Sequence, residues 1–368
     1  LTCKENQIKT GKGYSAMDSV MQLLFQKDEV SGNILIAEND TIVLNKSYGY
    51  ANRGNRALLN DSSVFELASV SKQFTAAAII MLQQKGLLKF EDTVAKYIPS
   101  LPYKDITVYQ LLTHTSGLPE YEELFTAYWN KKKIAYNKDI IDVLVKAKKP
   151  LLFGAGTKME YSNTGYALLG TIIENISGQP YNEYLMGHIF QPLNMKHTRV
   201  YNSRRSLKDT IANYAYGYVY NDSLGKYFIP DSLKEYDYVF YLDGIAGDGC
   251  VNSTVLDLLK WDHALRNNTL FDKETLELIN TKAVLKNGDT AYMEDGDSSK
   301  SYYGFGVFID DETVRGKVIS HTGGWPGYSN YFRRELNTGR TVIILTNSFR
   351  DNVEANKGYD KIMGLLKK

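Results

Sequence analysis

The chain has 368 residues, 43% of them hydrophobic and 23% charged, which are the proportions of a globular protein with a sizeable core and exclude a largely disordered or fibrous one. Its 43 basic residues against 42 acidic ones leave a formal charge of +1, which gives no electrostatic footprint for nucleic acid or an anionic membrane surface. No run reaches the roughly 18 apolar residues of a membrane-spanning helix, and two cysteines, Cys3 and Cys250, are too few for a disulfide framework.

The opening residues, Leu1-Thr-Cys-Lys-Glu-Asn6, look like the end of a bacterial lipoprotein signal, so Cys3 is a candidate lipid anchor on a polar lead of residues 1–13. Such an anchor would put the protein in the bacterial cell envelope, periplasmic or lipoprotein-anchored, with a secreted protein as the alternative. Ser15–Gln26 carries Met17, Val20, Leu23 and Leu24 on one side and reads as an amphipathic helix. Gly32–Ala37 and Thr41–Lys46 read as two strands joined by a turn at Glu38-Asn-Asp40. A helix then runs from the Ser69 region through Phe74–Leu82, apolar almost all round, and stops at Gly86. Helical periodicity dominates from there to about residue 240, in Val108–His114, Ile140–Ala147 and Gly165–Ile176, and Val255–Leu265 adds one more helix. Beyond residue 300 the period returns to two, in Tyr303–Ile309, Val314–Ser320, Ser329–Glu335 and Arg340–Thr346, and Asn352–Lys368 reads as a last amphipathic helix.

Strands at both ends around a helical middle predict an α+β (α/β) fold, with one antiparallel sheet flanked by helices and assembled from both termini. The expected division is a sheet domain of residues 14–65 plus 242–368 and an inserted helical subdomain of residues 66–241, with the active site between them.

Ser69 and Lys72 stand three residues apart, so they share a helix face at the mouth of an apolar segment. Desolvation favours the uncharged form of an amine, which would make Lys72 a base for the Ser69 proton. A serine at a helix start also sees the positive end of the backbone dipole, where a developing oxyanion is stabilised. The same spacing recurs at Ser223-Leu-Gly-Lys226, in a turn-like stretch with no apolar helix behind it.

Two further stretches offer the proton-handling group and the donors that a serine nucleophile needs. Tyr161-Ser-Asn163 lies in a glycine-rich loop just ahead of a helix. Only that context and its place in the chain distinguish it from Tyr50-Ala-Asn52, Tyr128-Trp-Asn130 and Tyr328-Ser-Asn330. His321-Thr322-Gly323-Gly324 follows a strand, where glycines let a substrate backbone approach closely. A literal Lys9-Thr-Gly11 falls in the polar lead, too early to share that site. The sequence holds no His-Glu-x-x-His, no Gly-x-Ser-x-Gly, and no phosphate-loop or dinucleotide fingerprint, so no metal or cofactor is expected.

Ser69-Val-Ser-Lys72, Tyr161-Ser-Asn163 and His321-Thr-Gly323, in that order, resemble the three motifs of the serine β-lactamases and penicillin-binding proteins. The class C branch, with its DD-peptidase, D-aminopeptidase and esterase relatives, is the nearest match. Ile106-Thr-Val-Tyr-Gln-Leu-Leu-Thr-His-Thr-Ser-Gly-Leu-Pro119, Gly165-Tyr-Ala-Leu-Leu-Gly170 and Gly247-Asp-Gly-Cys-Val-Asn-Ser-Thr-Val-Leu-Asp-Leu-Leu-Lys-Trp261 are similar to family segments as well, so the likeness covers about residues 14–350.

The resemblance implies a β-lactamase/DD-peptidase-like fold and an acyl-enzyme. Ser69 would attack, Lys72 and Tyr161 would move its proton, Asn163 would hold the substrate amide, and His321, Thr322, Gly323 and Gly324 would complete the binding edge. The backbone N–H groups of Ser69 and Gly324 would form the oxyanion hole. The family's β-lactamases carry lysine where His321 stands, and a neutral imidazole anchors a carboxylate more weakly. The expected reaction is therefore hydrolysis of an amide or ester in a small peptide-like substrate. A true β-lactamase or DD-carboxypeptidase and a non-hydrolytic acylated sensor remain as alternatives. Specificity is expected in the loops Glu120–Lys138 and Asp231–Leu242.

Overall fold

The structure, a computed structural model, describes residues 12–202, 210–294 and 299–350, with Ile362 and Gly364 besides. Cys3, the Lys9-Thr-Gly11 stretch and nearly all of the expected helix Asn352–Lys368 lie outside the described residues.

An eight-stranded sheet forms the backbone of the fold. In spatial order its strands are Met293–Glu294, Lys300–Tyr303, Phe308–Thr313, Gly316–Trp325, Tyr328–Glu335, Arg340–Phe349, Val30–Glu38 and Thr41–Tyr48. Each neighbouring pair is antiparallel, and the strand nearest the C-terminus lies beside the first, pairing Ile34 with Ile344 and Ile36 with Val342. The α+β architecture and the sheet built from both termini are thus as the sequence predicts.

Period-two alternation explains why this sheet is covered on both faces. Leu35, Ile343, Leu345 and Phe332 enter the main core with Phe74 and Ile79. Their neighbours Ile34, Ile36, Val342 and Ile344 enter a second core on the opposite face, where Met17, Met21 and Leu24 of the helix Lys12–Gln26 cover them. Asn39 and Asp40 take positive φ in the hairpin between the first two strands, a conformation these two residue types tolerate best after glycine. On the main-core side, Asp262 of the helix Val255–Arg266 accepts from Arg334 Nε at 2.6 Å and from Thr341 Oγ1 at 2.6 Å, clamping that helix to the sheet.

The helix Lys72–Gln84 packs against the helices Asn163–Ser177 and Tyr181–Leu185, and Phe74, Ala76, Ala77, Ala78, Ile79, Ile80 and Leu82 are all buried. Burying a large side chain such as Phe74 or Ile79 contributes about 1.5–3 kcal/mol, so this helix is held by packing on every side.

The sequence reading differs from the structure in two strands near the site. Tyr303–Ile309 reads as one strand, whereas the chain breaks at Gly304–Gly306 into two. Gly306 has φ +77°, and a Cβ there would lie 2.9 Å from Ala76 Cβ and from the Lys72 carbonyl oxygen, so the glycine lets the turn sit directly on the Lys72 helix. The second strand, expected to end at Ser320, continues through His321-Thr-Gly-Gly to Trp325 and pairs throughout with Tyr328–Glu335.

Candidate active site

Ser69 belongs to a 3₁₀ turn, Ala68–Ser71, that leads directly into the helix Lys72–Gln84. Ala68 just before it takes φ +48°, a left-handed conformation that costs a non-glycine residue about 1–2 kcal/mol. Strain of that kind at one residue beside a serine hydroxyl marks a position the surrounding structure enforces. The strand Gly316–Trp325 presses on this turn. Gly323 is the contact point, where a Cβ would meet the Leu67 carbonyl oxygen at 2.1 Å.

Lys72 is fully buried, and its Nζ donates to three acceptors: Ser69 Oγ at 3.0 Å, Asn163 Oδ1 at 2.7 Å and the Asp248 carbonyl oxygen at 2.9 Å. The first two are residues the sequence reading groups with it. The third is a backbone atom, which no motif of side chains could have signalled. Nζ also lies 4.9 Å from the centre of the Tyr161 ring. The Tyr161 hydroxyl is buried and has no hydrogen-bond partner among the described residues.

Asn163 opens the helix Asn163–Ser177, capped by Ser162 Oγ, which accepts from Gly165 N at 3.1 Å. Its amide is held from both ends, with Oδ1 accepting from Lys72 and Nδ2 donating to Glu122 Oε1 at 2.7 Å. Glu120 Oε2 accepts from the backbone N–H groups of Asn163 at 2.9 Å and Thr164 at 3.3 Å, a carboxylate seated on a helix N-terminus. Burial, followed by repulsion from Glu122, pushes the Glu120 carboxyl up to about 8. Burial and then Asp248 push the Glu122 carboxyl up as well. These two glutamates are absent from the set of site residues predicted from sequence. Their signal was there, in a Glu-Tyr-Glu-Glu run directly after the family-like segment ending at Pro119.

His321 does not face the cleft. It is 1% exposed; its Nδ1 lies 2.6 Å from the Thr322 carbonyl oxygen and its Nε2 lies 2.8 Å from the Tyr303 hydroxyl. A carbonyl can only accept, so Nδ1 carries the proton and Nε2 accepts from Tyr303. Burial first, and the nearby Lys72 second, hold this imidazole down at about 3, so the ring is neutral. Its side chain is placed for an internal hydrogen bond, in place of the binding contact the resemblance suggests. Thr322 and Gly324 are exposed on the strand, and Gly323 is buried beneath them.

His114 is fully buried and accepts from Ser162 N through Nδ1 at 3.0 Å, with its ring 4.3 Å from that of Tyr161. The second Ser-x-x-Lys copy, Ser223 to Lys226, lies exposed in the turn of the hairpin Val219–Asn221/Lys226–Phe228.

Two adjoining hollows meet at these residues. One lies against Ser69 and is lined also by Asn163, Glu122, Asp248, Gly324 and Trp325. The other is a cleft of about 730 Å³ bounded by Glu120, Glu122, Tyr161, Asn163, Tyr238 and Trp325. The loops Glu120–Lys138 and Asp231–Leu242 both contribute to its walls. Among the described residues no group of His, Cys, Asp and Glu is arranged to hold a metal ion, and no helix is long and apolar enough to cross a membrane.

Comparison with known proteins shows the family. The family model described as Beta-lactamase matches residues 17–366. The chain belongs to the beta-lactamase family. Within the family, the chain is 42% identical to "Penicillin-binding protein 4*" of Bacillus subtilis (strain 168), over 91% of this chain and 72% of that one. It is 29% identical to "Putative penicillin-binding protein PbpX" of the same strain, over 91% and 75%. Among solved structures, a penicillin-binding protein from Bacillus halodurans superimposes with a TM-score of 0.77 at 25% identity, covering 97% of this chain and 99% of that one. The fold is also that of D-amino acid amidase from Ochrobactrum anthropi SV3, at a TM-score of 0.76 and 24% identity, with coverage of 97% and 99%. The chain is accordingly a serine hydrolase related to β-lactamases and penicillin-binding proteins.

Proposed function

We propose that this hydrolase works through an acyl-enzyme on Ser69 and cleaves an amide or ester of a small peptide-like substrate. The observation that carries the proposal is the triple engagement of Lys72 Nζ, which holds Ser69 Oγ, Asn163 Oδ1 and the Asp248 carbonyl oxygen at once from a fully buried position. In this reading Lys72 reacts as the free amine: Nζ keeps its N–H groups on Asn163 Oδ1 and the Asp248 carbonyl oxygen, turns its lone pair to Ser69 Oγ, takes the hydroxyl proton as Oγ attacks the carbonyl carbon, and passes it by way of the Tyr161 hydroxyl to the leaving group. The backbone N–H groups of Ser69 and Gly324 receive the oxyanion, and the second N–H of Asn163 Nδ2, beyond the one given to Glu122, binds the substrate amide oxygen. Water then attacks the acyl ester and gives a proton to the same tyrosine and lysine, which pass it to Ser69 Oγ as the ester bond breaks and the acid leaves.

The name of the B. subtilis relative supports a second reading, in which penicillins acylate Ser69 as well. The neutral, internally bonded His321 offers no cation to a penicillin carboxylate, so that acylation should be slow relative to amide or ester cleavage. We further propose that the protein works in the bacterial cell envelope, held by lipid at Cys3.

Intact-mass spectrometry after exposure to a fluorophosphonate and to benzylpenicillin tests the reading, alongside hydrolysis of short-chain esters, aminoacyl amides and nitrocefin. One adduct at Ser69, absent in Ser69→Ala, is expected together with turnover of an ester or amide. Equal labelling of Ser69→Ala would remove Ser69 as the nucleophile, and a stable acyl adduct with no turnover of any substrate would make the protein a sensor.

A further inference from the structure

His114 is buried beside the reaction centre and takes no part in the chemistry proposed for Ser69. The helix Val108–Leu112 ends in a Schellman turn, in which Thr115 N donates to Gln110 O at 2.9 Å and His114 N to Leu111 O at 3.4 Å. His114 is the left-handed residue of that turn, at φ +57°. Glycine serves this place without strain, so a side chain found there is held by contacts beyond its own helix.

Those contacts lead to Tyr161. The His114 carbonyl oxygen accepts from Glu160 N at 2.9 Å, and Nδ1 accepts from Ser162 N at 3.0 Å. The peptide N–H groups that precede and follow Tyr161 therefore both end on one residue. The imidazole then lies against the Tyr161 ring itself, with centroids 4.3 Å apart and 35° between the planes. Tyr303 and Tyr166 pack on the same imidazole at 4.4 Å and 5.0 Å. Because Nδ1 accepts, the proton sits on Nε2, which has no hydrogen-bond partner among the described residues. An imidazolium could not accept from Ser162 N, and burial, followed by the nearness of Lys72, holds the ring well below its ordinary proton affinity. The Tyr161 hydroxyl bonds to nothing among the described residues, so its direction is set by ring packing and by the backbone that carries it.

We infer that His114 is a positioning residue for the proton relay, fixing the Tyr161 phenol by gripping both flanking peptides and packing on its ring. The inference rests on the proposed relay through Tyr161 and supplies that relay with its support. Proton transfer needs heavy atoms about 2.6–3.2 Å apart. A leaving group that must be protonated should therefore feel the loss of His114, and one that departs as a stable anion should not.

The test compares p-nitrophenyl butyrate, whose phenoxide departs without a proton, with ethyl butyrate, whose alkoxide does not. His114→Asn keeps a residue type that tolerates positive φ and an oxygen able to accept from Ser162 N, and it loses the ring against Tyr161. The kcat/KM ratio of the p-nitrophenyl to the ethyl ester should rise at least about tenfold over wild type, a part of the roughly 10²–10⁴-fold that general acid–base catalysis contributes. Tyr161→Phe should raise the ratio further. Adding His114→Asn to Tyr161→Phe should leave it unchanged, because no hydroxyl is left to misplace. Ratios taken within each protein cancel any general loss of folded enzyme.

A second measurement needs no variant. In ¹⁵N NMR of histidine-labelled wild type, His114 should carry its proton on Nε2 and His321 on Nδ1, the opposite tautomers. A wild-type ratio in His114→Asn, a further rise on adding His114→Asn to Tyr161→Phe, or a His114 proton on Nδ1 would overturn the inference. A wild-type ratio in Tyr161→Phe, or no ester turnover by wild type, would instead overturn the relay reading beneath it.

Discussion

Gly323→Ala is the sharpest probe of how the sheet sets the position of Ser69. A Cβ at Gly323 would lie 2.1 Å from the Leu67 carbonyl oxygen and 3.2 Å from both Val70 N and Val70 Cγ2. Non-bonded heavy atoms need about 3.5 Å, so the strand Gly316–Trp325 and the turn Ala68–Ser71 must separate by more than about 1 Å. Both are held from behind, the strand by its ladder to Tyr328–Glu335 and the turn by the buried helix that follows it. The substitution should therefore cost about 1–3 kcal/mol of stability, the usual cost of overpacking. It should also widen the gap between Ser69 and Gly324, whose N–H groups are proposed to share one oxyanion. A misplacement of about 1 Å costs on the order of 100-fold in rate. Gly324→Ala is the matched control, because a Cβ there meets nothing within 4 Å and the N–H is retained. The assay pairs urea unfolding with the second-order rate of fluorophosphonate labelling. Gly323→Ala should label about two orders of magnitude more slowly than wild type, and Gly324→Ala within a few-fold of it. Wild-type labelling by Gly323→Ala would refute the idea that this contact sets the reaction centre.

Lys72→Met fills the buried site without an amine; general-base loss predicts labelling and hydrolysis down by about 10²–10⁴-fold, and the stranded acceptors Asn163 Oδ1 and Asp248 O should lower the melting temperature as well. Retained activity in a correctly folded Lys72→Met protein would remove the lysine from the mechanism. Tyr303→Phe takes the donor from His321 Nε2 and should destabilise the fold by about 1–2 kcal/mol in urea titrations. Ester turnover should change little, because neither ring lines the cleft; a collapse of KM would mean that His321 does meet substrate. Glu120 offers a pH test. Its carboxyl, raised to about 8 in the folded protein, titrates near 4.5 in the unfolded chain, which therefore binds fewer protons between these values, and stability falls as pH rises through that window. The unfolding free energy from urea titrations should drop between pH 5 and pH 8, and the drop should be smaller in Glu120→Gln than in wild type by on the order of 1–3 kcal/mol, since each tenfold difference in proton affinity between the folded and unfolded chains is worth about 1.4 kcal/mol. Identical slopes would show that Glu120 is not held proton-rich.

Much of the architecture was legible in residue order because it rests on local periodicity. Arg340–Thr346 was legible as a strand, though not that its apolar run Val342-Ile-Ile-Leu345 is covered on both faces, and Asn39-Asp40 was legible as a turn. Ser69 and Lys72 were legible as a pair because three residues on one helical turn bring two side chains together whatever else the protein does. Asn163, 91 residues further along, came to Lys72 as its motif suggested. The loops Glu120–Lys138 and Asp231–Leu242 were legible as segments rich in Tyr and Trp, although their mutual placement was not.

What only tertiary structure decided depends on contacts between distant segments, to which no local pattern is sensitive. The direction of the His321 ring follows from the break at Gly304–Gly306, which returns Tyr303 to the next strand but one in sequence and puts its hydroxyl on the imidazole. Lys72 Nζ donates to a carbonyl 176 residues away, and a backbone oxygen has no residue type by which to be recognised. Glu122 became a neighbour of the reaction centre because the segment after Pro119 packs on the first turn of the Asn163 helix. Residue order fixed which chemical groups were available and which of them had to be adjacent on one helical turn; the fold decided which faced the cleft, because that depends on packing across the whole chain.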